Sequence, residues 1–146
     1  MQLGTVGAAP AAAAIARLAG DRRLALRLLL GGVTTWAASK ILKPLTGRPR
    51  PMALLPGARS RGQEAAGLDY PSGHAGVAVA LAVAAGPHLP RRARQTVVAL
   101  APIVGLTRMY VGAHLPLDIV SGAALGFSID AAVELAQRSR RSCTVP

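Results

Sequence analysis

Between Thr107 and Asp118 the chain holds a cation, an imidazole and a carboxylate: Arg108, His114 and Asp118. They lie at the edges of two apolar runs, where charge is costly unless it has a partner or a task. That combination fits phosphate chemistry. The equatorial oxygens of a transferring phosphoryl group gain charge in the transition state, and fixed cations and helix N-terminal amides stabilise that charge. Lys43, Arg50 and Arg108 supply cations, and Ser72 with the amides of Gly73 and His74 supplies neutral donors where a helix begins. Asp118, four residues after His114, can take one ring N–H, fix the tautomer and leave the other nitrogen free to attack phosphorus. His74 then stands ready to protonate the leaving oxygen and later to activate water.

Each residue also has a plainer reading. An Asp at the head of a helix is favoured by the dipole alone, and Lys43 and Arg50 could simply grip lipid headgroups. What raises the chemical reading above these is that all of the residues fall on one side of the predicted helices.

Those helices follow from composition. The 146 residues are 51% hydrophobic but only 3% aromatic, with 16 glycines, and the mean hydropathy is +0.38. Long runs of Ala, Leu and Val with glycine fit closely packed helices in a bilayer. The net charge of +11 is compatible with anionic lipid or a phosphate substrate. Nucleic acid is disfavoured as a partner, because the basic residues alternate with apolar runs and only Trp36, Tyr70, Tyr110 and Phe127 could stack on bases. Cys143 is the single cysteine, which rules out an internal disulfide and a cysteine-based metal site.

Taken in order, residues 8–19 form an Ala-rich helix too short to span the hydrocarbon core, which needs ~20 residues. No basic segment precedes them, which argues against a cleaved signal peptide. A first span is predicted from Leu24 to about Leu42, with Arg27 snorkelling toward the headgroups and Pro44, Pro49 and Pro51 ending the helix. Residues 43–69 read as a functional polar loop. A second span runs from Ser72, in an N-cap position, to about Leu89, closed by Pro90 and the Arg91, Arg92 and Arg94 cluster. A third covers Gln95 to Val111, interrupted by Pro102 and Gly105. A fourth starts at Pro116 and reaches about Ala136, with Gly122 and Gly126 forming a small-xxx-small face. Residues 138–146 read as a disordered basic tail.

The predicted class is therefore all-α: a polytopic membrane bundle of about four transmembrane helices plus a short N-terminal helix, in one domain over 1–146. Four spans bring Lys43, Arg48, Arg50, Ser72, His74, Arg108, His114 and Asp118 to one membrane surface. Of the 17 Lys and Arg residues, ten fall on the opposite face and seven on this one. The positive-inside bias then places both termini in the cytoplasm and the site on the outer face.

Three segments match a known family in order and spacing. Lys43-Pro-Leu-Thr-Gly-Arg-Pro-Arg50-Pro51, Pro71-Ser72-Gly73-His74 and Thr107-Arg108-x5-His114-x3-Asp118 resemble the three motifs of the type-2 phosphatidic acid phosphatases, which share their site with vanadium haloperoxidases. The resemblance covers residues 43–118 and implies that Lys43, Arg50, Ser72, Gly73 and Arg108 bind phosphate. It further implies that His74 is the general acid and base, His114 the nucleophile and Asp118 its orienting partner, with no metal and no cofactor. Thr107 replaces a usual serine and keeps the hydroxyl. Six-helix members have two helices before the first motif, where this chain has residues 8–19; the lipid-facing surface left bare would favour self-association into a homo-oligomer.

The expected substrate is a membrane lipid with a terminal phosphate. Short, basic, Ala- and Arg-rich members look like actinobacterial enzymes acting on polyprenyl carriers, which points to a substrate such as decaprenylphosphoryl-5-phosphoribose. Undecaprenyl diphosphate and phosphatidylglycerophosphate are the near alternatives. A non-catalytic phospholipid-binding membrane protein would use the same cations. A soluble haloperoxidase would need amphipathic helices, whereas these runs are apolar on all sides.

Overall fold

The computed structural model describes residues 7–54 and 68–142, which hold helices and no β-strand. The order is α1 (Ala8–Leu18), α2 (Arg22–Thr46), α3 (Pro51–Leu54), α4 (Gly73–Ala85), α5 (Arg91–Tyr110) and α6 (Pro116–Ser142), with a single 3-10 turn at Gly86–His88. Helix α4 is central and touches α2, α5 and α6, while α1 lies along α2.

Local chemistry sets the helix ends. Asp21 caps α2 by accepting from the Leu24 N–H at 2.8 Å, and Gly47, with φ of 61°, closes it in the left-handed conformation. The helix thus passes Pro44, where the sequence reading ended it. Pro44 sits in the last turn, so its missing N–H leaves only one carbonyl without an intrahelical donor. Helix α5 likewise runs unbroken through Pro102 and takes in Arg91, Arg92 and Arg94, which sequence reading had placed in the preceding turn. At the other end of the chain α6 continues to Ser142. Arg138 pairs with Glu134 one turn earlier, and cations suit the negative end of a helix. The expected disordered tail is therefore helical over 138–142; residues 143–146 lie outside the described residues, as do Arg59 and Arg61.

Helices α4 and α6 meet backbone to backbone. A Cβ at Gly126 would lie 2.0 Å from the Gly76 carbonyl oxygen, and one at Gly122 would lie 2.2 Å from that of Ser72. Neither carbonyl can move without its helix, so only glycine permits this approach. The expected small-xxx-small face is the α4–α6 contact. The buried apolar core is otherwise mostly alanine, with Leu28 and Val77 as its larger members. Dispersion between closely spaced helices is the fitting source of cohesion for such a core.

The molecule carries its large apolar side chains outside and several polar ones within. Leu18 is 90% exposed and Leu45 76%, and Leu106, Val120, Phe127 and Leu135 also face outward. Arg27, Asp69, His114, Asp118 and Asp130 are buried. Such an exterior suits lipid. Pro116–Arg140, with mean hydropathy 1.5, is the one helix among the described residues that is long and apolar enough by itself to cross a membrane.

Arg27 does not snorkel. Its Nε donates to Asp130 Oδ1 at 2.8 Å and its NH2 to Oδ2 at 2.5 Å, while Glu134 stands 3.0 Å away. The facing carboxylates on α6 offer the guanidinium a planar, bidentate partner inside the bundle.

Candidate active site

The end of the bundle formed by the last turns of α2 and α5 and the first turns of α4 and α6 gathers the residues singled out from the sequence. Lys43 lies in the last turn of α2, and its Nζ donates to the carbonyls of Leu68 and Asp69, each at 3.1 Å. Past Gly47 the chain turns across the bundle end, where Arg48 and Arg50 make separate contacts. Arg48 NH1 donates to Asp118 Oδ1 at 3.0 Å. Arg50 NH1 donates to the Ala113 carbonyl at 2.9 Å and lies 3.7 Å from Asp69 Oδ1. The Nε atoms of Arg50 and Arg108 are buried and meet no acceptor within the protein.

Ser72 is fully buried at the N-cap of α4, its Oγ accepting from the Ala75 N–H at 3.5 Å. Its own N–H donates to the Asp118 carbonyl at 2.9 Å, joining the heads of α4 and α6. Gly73 opens α4 against Ser39, whose Oγ would lie 2.6 Å from an added Cβ. His74 follows on the first turn, half-buried, and the charges of Arg108, Lys43 and Lys40 act on it.

His114 is positioned by the turn after α5. Gly112, with φ of 73°, reverses the chain, and the Gly112 and Ala113 N–H groups return to the Met109 and Arg108 carbonyls at 2.9 and 3.0 Å. The buried ring then meets two carboxylates. Its Nδ1 is 2.5 Å from Asp69 Oδ1 and 4.0 Å from Asp118 Oδ2. The Asp69 contact is bent, since neither of its oxygens lies along the ring N–H direction needed for a hydrogen bond.

Asp118, expected as the partner of His114, is held elsewhere. Its Oδ2 accepts from the Leu115 N–H at 2.6 Å, and its Oδ1 accepts from Arg48. A carboxylate at the third position of a helix that reaches back to the N-cap amide is half of a capping box. Sequence reasoning passed over Asp69, the nearer carboxylate, as the last residue of the 43–69 loop. Its signal was position: it is one of two acids in that loop and stands just ahead of Tyr70-Pro71-Ser72-Gly73-His74. Its N–H donates to the Arg48 carbonyl at 2.9 Å, which fixes the loop end against the first motif.

Burial is the strongest influence on His114 and keeps its pKa below the usual histidine value, against the opposing pull of the Asp69 carboxylate. For Asp69, burial would raise the pKa. The contact with His114 and the charge of Arg50 act against it, and the carboxyl is held below its ordinary range. The pair therefore favours a neutral imidazole beside an ionised carboxylate.

The helical bundle thus has an apolar exterior and, at one end, a buried His–Asp pair with Lys43, Arg48 and Arg50 around it. The sequence matches the PAP2 superfamily over residues 23–141, and the chain belongs to that family. Among solved structures it is similar to a transmembrane PAP2-type phosphatidylglycerolphosphate phosphatase from Bacillus subtilis. The two share 25% identity with a TM-score of 0.62, over 94% of this chain and 69% of that one. No curated protein sequence matches the chain.

Proposed function

We propose that this protein removes a terminal phosphate from a membrane lipid through a phosphohistidine intermediate. The observation that carries the reading is a pair of half-buried arginines, Arg50 and Arg108, each with a buried Nε–H that the protein leaves unanswered. Arg108 also feels the charge of Arg50. Two like charges held together with spare donors are relieved by an anion between them.

In the proposed reaction His114 attacks phosphorus through Nε2, forming the N–P bond as the bond to the lipid oxygen breaks. His74 gives its proton to that leaving oxygen. Water, deprotonated by His74, then attacks phosphorus, the N–P bond breaks, and inorganic phosphate leaves with His114 restored. Lys43, Arg50 and Arg108, with Ser72 and Gly73, hold the phosphoryl oxygens. Asp69 orients the His114 ring from 2.5 Å, and Asp118 sets the start of α6 and carries Arg48. No metal enters the scheme.

The chain acts as a single membrane domain over 1–146, with α2, α5, α6 and the segment made of the 13-residue α4 and the 3-10 turn after it as its four spans, and the site at the outer face of a bacterial plasma membrane. A polyprenyl-linked phosphate such as decaprenylphosphoryl-5-phosphoribose is the first candidate substrate, on the short, Ala- and Arg-rich character of the chain. Phosphatidylglycerophosphate is the second, favoured by the likeness to the Bacillus subtilis phosphatase. Phosphate release from purified polyprenyl-phosphoribose, polyprenyl diphosphate and diacyl lipid phosphates tests the reading. Turnover of one lipid class that disappears in His114→Ala is the expected result; equal release by wild type and His114→Ala would remove the mechanism, and no release from any of them would remove the activity.

A further inference from the structure

A cavity of about 770 Å³ opens at the end of the bundle away from the candidate active site. It lies between α1, the start of α2 and the end of α6, whereas the active site is built from the end of α2 and the start of α6. Its walls are apolar, including Ala14, Ala25, Leu26 and Leu29. Arg17, Arg22, Arg23 and Arg140 stand around it.

The acids at this end are already engaged. Asp130 and Glu134 bind Arg27, Glu134 also binds Arg138, and Asp21 caps α2 and lies 3.2 Å from His88. Arg23 donates to Gln137 Oε1 at 3.3 Å, and the Nε2 of that same Gln137 is buried with no acceptor in the protein. Among the described residues, no carboxylate comes within ion-pair distance of Arg17 or Arg22. Surplus cations therefore sit directly beside an apolar trough.

We infer that this cavity binds an anionic phospholipid in the leaflet opposite the active site, its phosphate on Arg17 and Arg22 and an acyl chain along Ala14, Leu26 and Leu29. A soluble anion would satisfy the arginines but leave the apolar wall uncovered. A zwitterionic lipid would cover the wall but leave the positive charge unmatched. An anionic amphiphile answers both. Bound there, it would bridge α1 to the end of α6. This inference does not depend on the proposed catalytic activity.

The test is retention of lipid by the full chain purified in mild detergent, read by native mass spectrometry during titration with phosphatidylglycerol, phosphatidylcholine or inorganic phosphate. Phosphatidylglycerol should be retained at least tenfold better than phosphatidylcholine, and millimolar phosphate should not displace it. Arg17→Ala/Arg22→Ala should weaken retention about tenfold, while Arg17→Lys/Arg22→Lys keeps most of it. Ala14 is exposed, so Ala14→Phe fills the trough with the charges intact and carries the test if the alanine pair fails to fold; it too should release the lipid. Equal retention of the two lipids overturns the proposal. So does binding that survives both Arg17→Ala/Arg22→Ala and Ala14→Phe but is lost in Arg50→Ala, because that lipid sits in the active site.

Discussion

His114 Nδ1 and Asp69 Oδ1 are 2.5 Å apart, while Asp118, the acid four residues along the chain, stands 4.0 Å from the same nitrogen. The nearer acid comes from a different segment, delivered by the loop end that Lys43 grips through the Leu68 and Asp69 carbonyls. Which carboxylate lies beside the ring is thus a tertiary property, dependent on how the first motif holds the approach to the second.

Replacing Asp69 with Asn should lower kcat by about 10²–10⁴-fold, the range typical of a mispositioned general base or nucleophile, with KM little changed. Asp118→Asn should cost stability first, since it weakens both a helix-start hydrogen bond and the Arg48 pair; about 1 kcal/mol is typical of a lost cap. Steady-state kinetics beside thermal denaturation separates the two. If Asp118→Asn abolishes turnover at unchanged stability while Asp69→Asn is nearly wild type, the assignment of Asp69 is wrong.

The pH profile gives an independent reading. A nucleophilic His114 must be unprotonated, so activity falls as pH drops through its pKa. Burial already holds that pKa below the ordinary histidine value of about 6.5, so the acid limb of kcat/KM should lie below neutrality. The Asp69 carboxylate opposes burial by favouring the charged ring, so Asp69→Asn should move the limb to still lower pH. A limb that moves upward, or stays in place, would show that Asp69 does not act on the ring.

Much of this was legible in the chain because the signals are local. Ser72 before an apolar run reads as an N-cap, Pro116 as a first helical turn, and Gly122 with Gly126 as a close-packing face. The cation, imidazole and carboxylate positions could be placed on one end of the bundle once the helices were counted. What could not be read was which side chains meet. An i, i+4 spacing puts Asp118 within reach of His114, but it puts the same carboxylate nearer the free amide of Leu115, and Arg48 arrives from 70 residues away. Arg27 misled for the same reason: its partners, Asp130 and Glu134, are more than 100 residues distant, and without them snorkelling was the natural expectation.

The α4–α6 contact should be intolerant of a single methyl. Gly126→Ala would set a Cβ 2.0 Å from the Gly76 carbonyl oxygen, so the helices must separate, at a cost of about 1–3 kcal/mol or more for overpacking. Gly31→Ala is the control. There the nearest atom, Asp130 Oδ1, would lie 3.7 Å away, and alanine in a helix interior gains roughly 0.5–1 kcal/mol over glycine. Thermal unfolding in detergent should therefore show a lower midpoint for the first variant and an equal or higher one for the second.

Arg27 and Asp130 should behave as a unit. Removing one partner of a buried ion pair leaves a charge unanswered and typically costs about 3–5 kcal/mol. Arg27→Met or Asp130→Leu alone should then destabilise strongly, and the double variant should recover most of the loss. Near-additive losses in the double-mutant cycle would mean that the contact contributes nothing beyond its separate parts.

Metal removal tests the centre of the site. One donor atom from each of Asp69, His114 and Asp118 falls within 4.8 Å of the others, a spacing that a divalent ion could bridge. The surroundings oppose it: Arg48 is 3.0 Å from Asp118, Arg50 is 3.7 Å from Asp69, and Lys43 Nζ is on the Asp69 carbonyl at 3.1 Å. Like unit charges at 4 Å repel by about 4 kcal/mol at the effective dielectric of a protein surface, and a doubly charged ion would face that repulsion from each cation. The carboxylates are better matched to the arginines they already hold. Phosphate release should stay within about twofold after prolonged EDTA treatment and gel filtration, because in the proposed reaction phosphoryl charge is met by guanidinium and ammonium groups. Loss of turnover that Mg²⁺ restores would show that the three residues hold a metal and that the cations serve another purpose.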